Sequence, residues 1–193
     1  MLISSANRYE SNQRESVDVK NNKDSQQKIR KIRSNGQIHI YQSAYRGSYS
    51  TIIRDSLRNA ALGRKVLLIQ LMKGGVDQGI KNPIQLCGNL VWIRPSNSYD
   101  QYLPGEIDND LSENVKESII TVWQYCKDQL LSGEQDQIIL DEIFRAVELG
   151  IIEEDDLIST LHNRFIAGDV ILTGTAISKQ CLLIADQVTE LRS

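Results

Sequence analysis

A chain of 193 residues, 40% of them hydrophobic and 24% charged, suits one globular domain with a buried core and one disordered end. Its formal net charge of -3 argues against a surface built throughout for nucleic acid or anionic membrane. Cys87, Cys126 and Cys181 stand far apart and in no Cys-x-x-Cys pair, which suggests neither a disulfide framework nor a zinc site and fits a reducing cytoplasm.

Residues 1 to 35 are rich in Asn, Ser, Gln and Lys, and eight Lys/Arg against four Asp/Glu leave them at +4. They read as a disordered basic tail, either a solvated leader or a contact for RNA, a membrane or an acidic partner. Interleaved aromatics or a nucleic-acid motif are lacking there, so nucleic acid is an expected partner only through that charge. No stretch approaches the roughly 18 uninterrupted apolar residues of a membrane span, and the N-terminus lacks the apolar core of a secretory signal. A soluble protein is expected.

From residue 36 the pattern becomes that of a single α/β domain. Apolar runs at 38–42, 65–71, 90–94, 137–142 and 169–174 are near-continuous, as in strands buried on both faces, and 187–191 is a sixth candidate. Helical stretches at 49–62, 110–131, 143–149, 154–164 and 178–184 alternate with them. In the longest, Leu111, Val115, Ile119, Val122, Trp123, Cys126 and Leu130 recur every three or four residues and make a stripe for core packing. The alternation predicts a doubly wound, mostly parallel sheet of about six strands, with ligands beyond the carboxyl ends of the strands.

The residues following each strand therefore carry the functional reading. After the first strand come Ser43, Ala44, Tyr45, Arg46, Gly47, Ser48, Tyr49, Ser50 and Thr51, leading into a helix; the fourth ends in Asp141 and Glu142. A phosphate loop needs glycines to turn backbone N–H groups onto an anion, a lysine for charge, and a Ser/Thr hydroxyl for Mg²⁺. An acidic strand end supplies a second metal contact. The hydroxyls and acids are present, but the lysine and all but one glycine are missing.

Other residues have plain structural readings. His39 lies in the first strand and is expected to be packed and hydrogen-bonded, His162 to be solvated, and Trp92 to belong to the core. The run Glu153, Glu154, Asp155, Asp156 opens a helix, where acids complement the positive helix terminus.

Several segments together, "GRKVLLIQLMKGG" (63–75), "IILDEI" (138–143), "GIIEEDDLISTLHNR" (150–164) and "VILTGTAISKQCLLIADQVTELR" (170–192), resemble the ATP:corrinoid adenosyltransferases. These are P-loop proteins of cobalamin synthesis and salvage. The resemblance runs in order over residues 36 to 192 and implies a P-loop NTPase-like fold, ATP with Mg²⁺ or Mn²⁺, and a corrinoid substrate. It implies attack of a Co(I) corrinoid on the 5′ carbon of ATP with loss of triphosphate. The family's loop, Gly-Asn-Gly-Lys-Gly-Lys-Thr-Thr, falls on Ala44, Tyr45, Arg46, Gly47, Ser48, Tyr49, Ser50 and Thr51.

Three glycines and two lysines of that loop are replaced while both hydroxyl positions survive. By the same resemblance Ser50, Asp141 and Glu142 stand on the metal side, and Arg46 is the candidate to replace the lost lysine. Tyr99 and Tyr102 lie near the segment whose aromatic rings face the corrinoid, with surface-loop tyrosines as the plainer reading. A homodimer is implied. Two functions remain open: adenosyl transfer, or a non-catalytic homologue that keeps the fold as a binding or regulatory module.

Overall fold

The structure, a computed structural model, describes residues 35–45, 49–74, 77–97 and 111–191. The expected basic tail lies outside these residues, apart from Asn35, as do Arg46, Gly47, Ser48, Tyr99 and Tyr102. All described residues belong to the compact unit that begins at Arg33.

Seven strands form one sheet. In chain order the elements are β1 (Ile38–Ser43), α1 (Ser50–Ala61), β2 (Val66–Gln70), β3 (Ile84–Leu86), β4 (Leu90–Ile93) and α2 (Glu113–Ser132). Then come β5 (Gln137–Asp141), α3 (Ile143–Glu148), α4 (Glu154–Asn163), β6 (Asp169–Gly174), α5 (Lys179–Ile184) and β7 (Gln187–Leu191). The strand order is β3-β4-β2-β5-β6-β1-β7, and every pairing is parallel except that of β3 with β4. This is the α/β architecture of P-loop NTPase-like proteins. β3 escapes the sequence reading because it is a three-residue antiparallel edge strand, largely exposed, rather than a buried apolar run.

The central strands are apolar on both sides because both sides are covered. β2 and β5 are buried along their whole lengths. One core joins Ile38, Ile40, Leu67, Ile69, Ile138, Leu140, Val170 and Leu172 of the strands to α2, α3, α4 and α5. The opposite face packs Val66, Leu68, Leu90 and Ile139 against Tyr49, Ile52 and Ala60 of the α1 region. Burial of these large side chains is worth about 1.5 to 3 kcal/mol each before entropy is counted. The helical stripe of α2 is in place, with Ile119, Val122, Trp123, Cys126 and Leu130 buried, and the helix ends on Gly133 at φ 69.

Several polar residues of the sequence reading turn out to be structural. His39 Nε2 meets Thr189 Oγ1 at 2.8 Å and its ring stacks on Tyr41; burial lowers its pKa. His162 is exposed. Trp92 is half-buried and packs against the core on the α1 side; its Nε1 donates to Gln70 Oε1 at 3.0 Å and Arg94 lies over its ring. The acids at the start of α4 have more than a helix terminus to serve. Asp156 accepts from Trp123 Nε1 at 2.7 Å and from Lys127 Nζ at 2.9 Å, tying α4 to α2. Asp186 accepts from the Ile38 amide at 2.7 Å and donates its own amide to the Ile38 carbonyl, docking β7 beside β1.

Candidate functional site at the carboxyl ends of β1, β5 and β6

Since β1, β6 and β5 are parallel neighbours, the loop after β1 and the acids after β5 open on the same edge of the sheet. Ala44 and Tyr45 are exposed where the chain leaves β1, and Ser50 and Thr51 are exposed in the first turn of α1. Between them Tyr49 is the N-cap of α1; its carbonyl accepts from the amides of Ile52 and Ile53, and its side chain is 2% exposed.

The acid side is built around Asp141, the last residue of β5. Its Oδ1 accepts from Thr173 Oγ1 at 2.9 Å, and its Oδ2 from Gln70 Nε2 at 2.7 Å and Lys73 Nζ at 3.3 Å. Asp141, Gln70 and Thr173 lie at the carboxyl ends of β5, β2 and β6, where pairing in register brings them together, and Lys73 lies three residues beyond β2. Gln70 in turn accepts at Oε1 from Arg94 at 2.9 Å as well as from Trp92, so the network runs across to β4. Such a carboxylate, buried but fully served by donors and a cation, avoids the large desolvation cost of an isolated buried charge.

Glu142 is placed differently from the sequence expectation. It is no strand residue: it is the N-cap of α3, in the left-handed region at φ 60. A non-glycine residue costs about 1 to 2 kcal/mol there. The Glu142 amide donates to Thr173 Oγ1 at 2.7 Å, so one hydroxyl, itself buried, fixes both acids. Glu142 is 2% exposed, as is Asp141.

Tyr49 joins the two sides. Its phenol pKa is pushed up to about 12, first by burial, then by the charges of Glu142 and Asp141, with the backbone at Ser43 and Gly174 acting in the opposite sense. The phenol oxygen therefore lies among the strand ends of β1, β6 and β5. Hydrogen bonds from the backbone at Ser43 and Gly174 bear on it, although no described atom meets it at full hydrogen-bond distance and angle. Gly174 must be glycine for a separate reason: a Cβ there would stand 2.6 Å from Phe144 Cβ of α3.

The structure thus brings Tyr49, Asp141 and Glu142 together, with Ser50 next in the chain at the same edge. It adds Gln70, Lys73, Thr173 and Gly174, which sequence reasoning passed over. Each lies at or within three residues of a strand's carboxyl end, a signal that becomes usable once the strand order is known. A cavity of about 460 Å³ between α1 and the sheet is lined by His39, Tyr41, Arg58 and Gln137 among others and by none of the acid-pair residues. Among the described residues no group of three His, Cys, Asp or Glu side chains is set to hold a metal, and no helix is long and apolar enough to cross a membrane.

The model of a family described as ATP:corrinoid adenosyltransferase BtuR/CobO/CobP matches residues 34–193. The chain belongs to this family. The match covers the strands, the loop after β1 and the acid pair alike. Corrinoid adenosyltransferases of Escherichia coli strain K12 and Salmonella typhimurium strain LT2, the latter called CobA, are 24% and 25% identical over 157 residues. Each alignment covers 81% of this chain and 76% of the relative. An uncharacterized protein of Nostoc sp. strain PCC 7120 is 27% identical over 177 residues, 85% of this chain. The chain spans about half of that relative's length, 46%.

Proposed function

We propose that the chain carries out its family's group transfer: a Co(I) corrinoid attacks the 5′ carbon of ATP, the C5′–O bond breaks with its electron pair going to oxygen, and triphosphate leaves. The observation that carries this reading is the buried Asp141–Glu142 pair, held by Thr173 on the same sheet edge as the start of α1. A glutamate held buried in the strained left-handed region beside that carboxylate supports a functional reading of the position.

Oxygen donors of this kind fit a hard divalent cation such as Mg²⁺ or Mn²⁺. Glu142 and the Ser50 hydroxyl would hold it, with water and phosphate oxygens completing its shell. Asp141 stands behind them, because Thr173, Gln70 and Lys73 already occupy its two oxygens. When bound, the ion neutralises charge on the departing triphosphate. The first amides of α1 and the hydroxyl of Thr51 orient the phosphate end, and Arg46 supplies the loop's positive charge. Tyr99 and Tyr102 face the corrinoid in this reading. The active form is a homodimer, which sedimentation tests.

Incubating the full chain with chemically reduced corrinoid and millimolar ATP is expected to give the alkylated product, seen by its visible spectrum. No product with either Mg²⁺ or Mn²⁺ would reject the proposal. A second reading, a non-catalytic module, is favoured by one observation: an uncharged, buried tyrosine stands where the family's loop has its second lysine. It predicts that neither product nor ATP-induced thermal stabilisation occurs.

A further inference from the structure

Gln70, the last residue of β2, is 1% exposed and has partners at both ends of its amide. Its Nε2 donates to Asp141 Oδ2 at 2.7 Å, and its Oε1 accepts from Trp92 Nε1 at 3.0 Å and from Arg94 Nε at 2.9 Å. Only one orientation of the amide works, since indole and guanidinium nitrogens only donate and a carboxylate only accepts. Turned over, it would set N–H against N–H and oxygen against oxygen. Lys73 also reaches Asp141 Oδ2, at 3.3 Å, but its side chain is 27% exposed and its stem is flexible. Of the two donors on that oxygen, the amide is therefore the one that fixes a direction.

The bonds continue on the other side of the carboxylate. Asp141 Oδ1 accepts from the Thr173 hydroxyl, whose oxygen accepts in turn from the Glu142 amide. A chain of hydrogen bonds thus crosses the neighbouring strands β4, β2, β5 and β6 and joins Arg94 to the glutamate held at φ 60. Such a conformation persists only where its surroundings hold it, and chained hydrogen bonds in a buried setting reinforce one another. We propose that Gln70 is a positioning residue for Glu142. By fixing the plane of the Asp141 carboxylate it keeps Thr173 turned toward the Glu142 amide, so that Trp92 and Arg94, two strands from β5, help to aim that glutamate. That the aimed carboxylate serves a divalent cation rests on the transfer reading above.

Amide hydrogen exchange in the metal-free full chain, followed by NMR, tests this with wild type, Gln70→Met and Arg94→Met, and urea unfolding measures stability alongside. Gln70→Met keeps most of the volume and removes both ends of the amide. Exchange at the Glu142 amide is expected to become at least tenfold faster, while amides in the middle of β5 change no more than the loss of global stability requires. Arg94→Met loosens the chain of bonds from its far, half-buried end and should speed the same amide severalfold. Where Gln70→Met does not melt cooperatively, Arg94→Met decides alone. A Glu142 amide that keeps its wild-type rate, or that accelerates only in step with the rest of the sheet, would overturn the proposal.

Mn²⁺ alone, titrated into the same proteins and read by the loss of its free EPR signal, gives a second measure. Removing the Arg94 charge would by itself tighten the hold on a nearby cation, whereas a misaimed Glu142 loosens it. Severalfold weaker Mn²⁺ binding by Arg94→Met is expected, and equal or tighter binding than that of a Mn²⁺-binding wild type would defeat the proposal. The same preparations separate this inference from the transfer activity. Selective acceleration at Glu142, with neither Mn²⁺ binding nor alkylated corrinoid from wild type, removes the catalytic reading alone. Product from wild type with an unaltered Glu142 amide in both variants removes only the role of Gln70.

Discussion

At the end of β5 a buried carboxylate receives three donors at short range, whereas at the start of α1 a buried hydroxyl has only the backbone of Ser43 and Gly174 bearing on it, with no described atom at full hydrogen-bond geometry. The two positions share one sheet edge, and the charges of the first reach the second. The acid side is thus complete without any ligand, and a polar atom placed there stabilises the fold. At the start of α1 the phenol oxygen is poorly served, and a polar atom placed there weakens the fold. The difference separates a polar group that the framework holds from one that it holds poorly.

Substitutions that delete polar atoms on each side give the sharpest comparison. Asp141→Ala strands Thr173, Gln70 and Lys73 together and should destabilise by about 3 to 5 kcal/mol, the usual cost of breaking a buried ion pair, read by urea unfolding. An unfolding midpoint equal to that of wild type would end the contrast. Thr173→Val keeps the shape but leaves the Glu142 amide and Asp141 Oδ1 without their shared partner, costing about 1 to 3 kcal/mol in the same measurement.

Tyr49→Phe deletes a polar atom on the other side, and the sign should reverse: a gain of about 1 kcal/mol, seen as a higher melting temperature. A loss of stability would mean that the hydroxyl is served after all. Away from the edge, Asp156 is a half-exposed control. Burial acts to raise its pKa, but bonds from Trp123 and Lys127 and the lysine charge hold it below the ordinary carboxylate value. A pKa lowered by folding gives stability that is fully present above the unfolded value and is lost as pH falls through the folded one. The expected effect is a few tenths of a kcal/mol, because the pair is solvent-screened. It should be absent in Asp156→Asn when melting is followed downward from pH 5.

Much of the architecture was legible because burial on both faces writes itself as uninterrupted apolar runs. β5, with the run Gln137–Asp141, and β6, with Asp169–Gly174, are examples. β3 was not legible by that criterion. Its residues Ile84, Gln85 and Leu86 are partly or wholly exposed and pair only with β4; the Gly88-Asn89 turn between two short runs was the available hairpin signal. The acid pair could be found from its place after an apolar run. Its supporting residues could not, since Gln70 and Thr173 lie far away in sequence and meet Asp141 only when β2 and β6 flank β5. Nor does a tyrosine after a polar loop announce that it is buried; the surrounding Ser, Arg and Gly suggest a surface turn. Its environment is set by what α1 covers, which is a tertiary property.

Gly174 belongs to the backbone that acts on the Tyr49 oxygen, and its missing side chain leaves room for Phe144, two residues after Glu142. The contact works as a gear with no clearance: advancing β6 by even a methyl group drives α3 outward, and α3 carries the glutamate with it. The floor under the phenol and the helix that carries the carboxylate are therefore a single moving part, and a side chain added at Gly174 displaces both.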